Sequence, residues 1–280
     1  MDATRERTVT LWDALAEVYD QVDVDFFAPI ADGLVAQLAP QPGERGLDVG
    51  CGRGAVLLPL ARAVGASGAA LGVDLSPRMV EGCAALAADE GLAQVSTRVM
   101  DATRLDAPEV TGVLGGPADL VASSLVLFFL PDPAGALPGW VDTLRPRGRL
   151  GITTFAERSD VWEEVDALFE PYLPPQLLDA RTSGARGRFA TDAGVEGLLA
   201  DAGLADVRTG RGRIPVRFAD PEHWYRFSMS VGQRMFWLSV PEEERPTVKA
   251  AAFQVLGGAT DPDGSVHLWQ DVRYTVGVRP

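Results

Sequence analysis

The chain has 280 residues, with 39 acidic against 25 basic side chains, a formal charge of −14 and a sequence pI of about 4.6. So acidic a surface repels phosphate backbones and anionic bilayers, which argues against nucleic acid and membranes as partners. With 46% hydrophobic and 23% charged residues the chain buries a proper core rather than acting as a disordered tether, and its length suits one large or two smaller domains.

Lys249 is the sole lysine, a bias that fits a GC-rich coding sequence rather than a site. Cys51 and Cys83 are too few for a disulfide framework, and no paired metal-ligand spacing occurs, so no metal is expected. The charged start, Met1 to Arg7, has no apolar signal core, and the apolar run Leu120 to Leu130 is too short to cross a bilayer. A cytoplasmic protein is the expectation.

Taken in chain order, Leu11–Tyr19 and Phe26–Leu38 read as amphipathic helices, an N-terminal cap over residues 1–40. Short apolar runs then alternate with helical patterns. The runs are Gly46–Val49, Ala69–Asp74, Ser96–Met100, Leu120–Ser124 and Arg149–Thr154; the helices are Ala55–Val64, Pro77–Glu90 and Ala134–Leu144. Such alternation predicts a parallel sheet with helical crossovers, a doubly wound α/β core over residues 41–155. Beyond it, Val161–Leu168 is helical, and Thr191 is placed to cap a helix ending near Gly203. Asp206–Arg213 and Val272–Val278 read as two further strands. Pro221–Gly264, rich in Trp, Phe and Met, reads as a helical lid rather than a separate domain. Residues 1–280 are therefore one elaborated domain in this reading, with insertions at 156–190 and 220–264 around a substrate pocket.

The strongest local signal is Leu47-Asp48-Val49-Gly50-Cys51-Gly52-Arg53-Gly54-Ala55, where a strand turns into a helix. Glycines there let the backbone approach a ligand closely. Asp74 ends the next strand, where a carboxylate can accept from ribose hydroxyls, and Asp101-Ala102 follows the third. The glycine spacing also satisfies a dinucleotide fingerprint. However, an acid at Asp48 suits an ammonium group better than a pyrophosphate, and three acids at successive strand ends suit a cationic adenosine compound.

In order and spacing, Asp48-x-Gly50-x-Gly52-x-Gly54, Val73-Asp74-Leu75-Ser76, Asp101-Ala102, Ser123–Pro133 and Leu144–Leu150 resemble the class I S-adenosylmethionine-dependent methyltransferases. Within that family the chain is similar to the small-molecule branch of the ubiquinone/menaquinone-biosynthesis and natural-product-tailoring enzymes. The resemblance covers Leu11 to about Val216 well and the rest loosely. It implies a Rossmann-like seven-stranded sheet with an antiparallel last strand. It also implies that S-adenosylmethionine is the cofactor and S-adenosylhomocysteine the product. Gly50, Cys51 and Gly52 would then contact the methionine end, with Asp48 beside its ammonium. Asp74 would take the ribose, Leu75 and Met79 would flank the adenine, Asp101 and Ala102 would read its edge, and the backbone near Ser123 and Ser124 would hold the amino group. Tyr19 resembles a tyrosine that folds over the cofactor. Phe128-Phe129 stand where relatives often carry His-His, and Arg147 replaces a usual turn glycine.

The implied activity is methyl transfer to oxygen, carbon or nitrogen of a small, largely apolar metabolite, in natural-product biosynthesis. A cofactor-binding protein of this fold that catalyses a non-methylating step, such as a cyclisation, is the first rival; an NAD-dependent oxidoreductase is the second. His223 is either a base, titratable near neutral pH, or a helix-start residue at the surface; the second reading is preferred. His267 is read as structural. Trp224 and Phe227 on the lid, with Phe26, Phe128 and Phe129, are expected to line an apolar substrate pocket, although such a stripe also arises from core packing. The arginines of Arg181–Arg188 and Arg208–Arg217 are read as solvated.

Overall fold

The computed structural model describes residues 3–19, 22–173 and 187–280. Helices α1 (Ala3–Leu15) and α2 (Phe27–Leu38) precede strand β1 (Arg45–Val49). Then follow α3 (Leu57–Val64), β2 (Ala69–Asp74), α4 (Pro77–Asp89), β3 (Val95–Val99), α5 (Ala107–Leu114) and β4 (Ala118–Ser124). A 3-10 turn (Leu127–Phe129), α6 (Pro133–Thr143), β5 (Leu144–Arg158) and α7 (Asp160–Ala167) come next. The chain ends with α8 (Asp192–Asp201), β6 (Ala205–Phe218), α9 (Pro221–Ser230), α10 (Arg234–Ser239), α11 (Arg245–Leu256) and β7 (Val266–Val278).

The strands form one seven-stranded sheet in the order β3-β2-β1-β4-β5-β7-β6, in which β7 runs antiparallel to both neighbours. The strand and helix pattern of the sequence is thus realised, as is the antiparallel strand that the resemblance implied. From β1 the chain winds outward to β3, then returns to place β4 on the other side of β1. A crevice opens at that reversal, above the carboxyl ends of the strands.

Both faces of the inner strands are covered, which is why they read as continuous apolar runs. Ile30, Leu34 and Leu38 of α2 pack with Leu60 and Val64 of α3 on one face. Val110, Leu137, Trp140 and Leu198 of α5, α6 and α8 pack on the other. Three helices occupy the stretch between β6 and β7, where one helical lid was expected. Strands β5, β6 and β7 are 15, 14 and 13 residues long against 5 to 7 for β1 to β4, so their tips rise above the crevice as a wall.

Several bounds differ from expectation: α1 begins at Ala3 rather than Leu11, and β5, β6 and β7 run beyond the 149–154, 206–213 and 272–278 expected. The first helix stops at Leu15 because Val18 and Tyr19 both donate their backbone N–H to the Leu15 carbonyl, a tight turn that swings Tyr19 onto Phe27. Helix α5 went unread, although Asp106 caps it by accepting from Glu109 N at 3.1 Å and Pro108 stands in its first turn. Thr191 caps α8 as expected, accepting from Gly194 N at 3.1 Å. Among the described arginines, Arg188, Arg211, Arg213 and Arg217 each face a carboxylate, so they are paired surface charges; residues 181–186 lie outside the described residues.

Candidate active site

A cavity of about 540 Å³ occupies the crevice. Its floor is the glycine loop after β1. Gly50 has φ +74°, and a Cβ there would stand 2.4 Å from Val126 Cγ2; Gly52 has φ +50°, and a Cβ there would meet nothing within 4 Å. Side chains are excluded from the first position by contact and disfavoured at the second by backbone conformation. The result is bare backbone presented to the cavity.

Asp74 holds that loop from the end of β2. Its Oδ2 accepts from Gly52 N at 2.9 Å and its Oδ1 from Ser76 N at 2.9 Å. A carboxylate oxygen has two lone pairs, so each still has one for a ligand hydroxyl. Burial raises the Asp74 pKa, opposed by the N–H groups of Ser76, Gly52 and Leu75. Ser76 caps α4, accepting from Met79 N at 3.1 Å, and this sets Leu75 and Met79 in the cavity wall. At the end of β3, Asp101 Oδ1 accepts from Thr103 N and Oγ1 at 3.0 and 2.6 Å, and Asp101, Ala102 and Thr103 line the cavity.

Helix α1 closes this side. Ser76 Oγ donates to Asp13 Oδ1 at 2.5 Å, Arg78 pairs with Glu17 at 2.7 Å, and Arg53 Nη1 donates to the Ala16 carbonyl at 3.0 Å. Trp12 and Tyr19 thereby reach the cavity, with Tyr19 stacked on Phe27 at 5.0 Å between centroids. Opposite, Leu125 has φ +59° and turns the chain off β4, so that the 3-10 turn presents Phe128 and Phe129. Phe26 lies among Phe155, Trp162 and Phe227 at centroid distances of 6.2, 6.1 and 5.5 Å.

The cavity thus gathers Tyr19, Gly50, Gly52, Asp74, Leu75, Met79, Asp101, Ala102, Phe26, Phe128, Phe129 and Phe227 from the residues singled out in the sequence. Five others lie behind the wall. Asp48 is buried beneath the loop; burial, then the charge of Asp74, pushes its pKa to about 8, and its Oδ2 has no hydrogen-bond partner. Cys51 packs under the loop, its thiol pushed up by the neighbouring Cys83 thiol and by burial. Of the two serines expected here, Ser123 points the other way, donating to the Val49 carbonyl at 2.8 Å, and Ser124 lines the wall, as strand alternation requires. Trp224 is fully buried against Trp237, because α9 meets the cavity only toward its C-terminal end, at Phe227. His223 is buried rather than solvent-facing: Nδ1 accepts from Ala219 N at 3.0 Å and Nε2 meets the Val22 carbonyl at 2.5 Å. That pairing requires the Nε2–H tautomer and leaves no lone pair for a substrate proton. His267 lies outside the wall, near Asp261 and Ser265.

Sequence reading missed the polar side chains of the far wall, Arg158, Gln233 and Gln270. They come from β5, the turn before α10 and β7, and nothing local distinguishes them from solvent-facing residues.

A family profile described as a methyltransferase domain matches residues 47–148. Nocamycin O-methyltransferase of Saccharothrix syringae is 32% identical over 281 residues, covering 96% of this chain and 98% of its own length. The chain belongs to the class I S-adenosylmethionine-dependent methyltransferases. Aklanonic acid methyltransferase DauC of Streptomyces sp. (strain C5) is 37% identical over 179 residues, 64% of this methyltransferase and 79% of its own length. Among solved structures, the YcgJ protein of Bacillus subtilis shares the fold with TM-score 0.58 at 15% identity, over 90% of this chain and 98% of its own. Haemonchus contortus phosphoethanolamine N-methyltransferase 2, solved with S-adenosyl-L-methionine, shares it with TM-score 0.57 at 16% identity, over 100% of this chain and 60% of its own. The NAD reading of the glycine motif falls with this assignment. No helix among the described residues is long and apolar enough to cross a membrane.

Proposed function

We propose that this methyltransferase acts on an oxygen that is already ionised, a carboxylate or an acidic enol or phenol, carried by a bulky and largely apolar natural product. The observation that carries this reading is the make-up of the cavity wall. Both histidines, the sole lysine and both cysteines of the chain are placed elsewhere: His223 between backbone groups, His267 beside Asp261, Lys249 on Glu222, and the cysteines beneath the glycine loop. Of the titratable side chains in the described wall, Asp74 and Asp101 are engaged by loop amides, Tyr19 carries a phenol stacked on Phe27, and the guanidinium groups of Arg104 and Arg158 carry donors and no acceptor. An acceptor that has lost its proton needs no base, only alignment, which supplies about 7–11 kcal/mol of a barrier. The named relatives support the choice of atom: one is an O-methyltransferase and the other acts on an acid.

The bound cofactor supplies a methyl group on a positively charged sulfur. The bare backbone at Gly50 and Gly52 fits its methionine end, the free lone pairs of Asp74 fit the two ribose hydroxyls, and Leu75, Met79 and Ala102 fit the faces of an adenine beside Asp101. Asp48 beneath the loop offers negative charge to the ammonium. The rings of Phe26, Phe128, Phe129 and Phe227 exclude water and hold the acceptor against the methyl.

The test is product mass and pH profile. An aromatic acid incubated with S-adenosylmethionine should gain one methyl group, and kcat/KM should follow the acceptor's own ionisation, moving when a more acidic acceptor is used. His223→Ala should keep that profile while lowering the melting temperature, since the loss of two buried hydrogen bonds costs about 1–3 kcal/mol. A profile fixed by one protein group whatever the acceptor, or a product of unchanged mass, would refute the proposal.

A further inference from the structure

In an otherwise aromatic cavity the far wall carries a compact polar group. Arg158 at the tip of β5 and Gln270 on β7 are cross-strand partners. Arg158 Nη1 pairs with Asp166 of α7 at 2.5 Å, and Asp166 Oδ1 accepts from Gln233 Nε2 at 2.7 Å. The side chains of Arg158 and Asp166 are only 10% and 7% exposed, and Gln233 and Gln270 only 1% and 3%. Buried polar groups are costly unless partnered, so the direction of each amide is informative.

Gln270 Nε2 donates to two carbonyls, Glu157 at 3.1 Å and Asp271 at 2.8 Å. Flipping the amide would set oxygen against oxygen, so the assignment follows from the neighbours. Its Oε1 accepts from no described group, yet it is not among the sealed, unpartnered atoms of the core, and Gln270 lines the cavity. The same holds for Gln233, whose Nε2 is fixed by the Asp166 carboxylate and whose Oε1 has no described donor. Two carbonyl acceptors in the wall therefore have no donor among the described residues.

Their position separates them from the chemistry. Three strand spacings of about 4.8 Å, β1 to β4 to β5 to β7, put Gln270 roughly 14 Å across the sheet from the glycine loop, and Gln233 is tied to the same corner through Asp166 and Arg158. The interval is walled by Phe26, Phe128, Phe155, Trp162 and Phe227, flat faces that suit a fused-ring system.

We infer that Gln270 and Gln233 form a second, uncharged recognition station, which accepts a hydrogen bond from a hydroxyl on a flat polycyclic substrate and so fixes which of its oxygens meets the methyl donor. This rests on the reading above that the cavity takes an ionised acid at the cofactor end. The substrate class is then a fused-ring molecule with an acidic oxygen at one end and a neutral hydroxyl at the other. An amide carbonyl accepts from a hydroxyl but repels a carboxylate, so the two ends are not interchangeable.

The test compares two probes, 6-(hydroxymethyl)anthraquinone-2-carboxylic acid, whose alcohol is remote from the quinone carbonyls, and 6-methylanthraquinone-2-carboxylic acid, its counterpart without the hydroxyl. Binding to the full chain loaded with S-adenosylhomocysteine is read by tryptophan quenching. Wild type should bind the hydroxylated probe about tenfold more tightly, the size of one neutral hydrogen bond. Gln270→Leu, and independently Gln233→Leu, should reduce that preference by weakening the hydroxylated probe alone. The Gln233 change disturbs one hydrogen bond, so it serves if the Gln270 variant fails to fold. An unchanged preference in a folded variant overturns the station, as does the lack of any preference, or of any binding, in wild type. Hydroxyl preference without formation of a methyl ester would instead overturn the ionised-acid reading and leave the station standing.

Discussion

The carboxyl of Asp48 lies beneath the glycine loop, where burial and the charge of Asp74 push its pKa to about 8. An unfolded aspartate titrates near 4, so between about pH 4 and 8 the folded chain holds a proton that the unfolded chain has lost. The cofactor-free protein should accordingly lose stability as pH rises through that window, and Asp48→Asn should flatten this part of the profile. A cation placed above the loop favours the ionised form, so binding of S-adenosylmethionine should release a proton and tighten toward pH 8. Calorimetry in two buffers of different ionisation enthalpy reads the release directly. Equal heats in both buffers for wild type would show that Asp48 does not respond to the cofactor.

Among the elements, β5 contains a residue the sequence marks as unusual. Arg147, in place of the turn glycine, has φ +64° and donates its N–H to the Arg279 carbonyl at 2.8 Å. Left-handed backbone costs a side-chain-bearing residue about 1–2 kcal/mol, of which the greater freedom of unfolded glycine takes back part. Arg147→Gly should therefore stabilise the chain by about 0.5–1 kcal/mol, seen as a rise in the thermal midpoint; an unchanged or lower midpoint would count against strain at this turn. Elements defined by local chemistry were legible: β2 was bounded as found, and α4 and α8 start at Ser76 and Thr191, whose hydroxyls cap them. The cofactor half of the site was legible for the same reason, since Gly50, Asp74 and Asp101 stand at or just past the ends of β1, β2 and β3. The far wall was not, because Arg158 and Gln270 meet only through the β5–β7 pairing of segments distant in sequence. Trp224 and Phe227 share a stripe that sequence cannot divide between core and cavity.

At the scale of the whole molecule, the cavity is bounded by α1, the strand ends, the tips of β5 and β7, and the turn between α9 and α10, so a ligand there binds the folded state alone. At a hundred times its Kd, such a ligand adds about 2.7 kcal/mol. For a chain of this size that corresponds to a rise of roughly 5–10 °C in Tm. S-adenosylhomocysteine should produce it in a thermal-shift measurement while NAD leaves the transition in place; a shift with NAD alone would contradict the family's cofactor.

The position of β7 also governs the order of assembly. It is the last strand in sequence but lies between β5 and β6, pairing with β5 from Arg149 to Arg158 and with β6 from Ala205 to Phe218. During synthesis β5 and β6 therefore emerge as open edges with no ladder between them, and α9, α10 and α11 are made before the strand that closes the wall beneath them. The cofactor half, complete by β4, can consolidate early, whereas the substrate wall waits for long-range closure, the slow and aggregation-exposed step of such topologies. A nascent chain of this methyltransferase would be able to hold its cofactor before it could recognise anything to methylate.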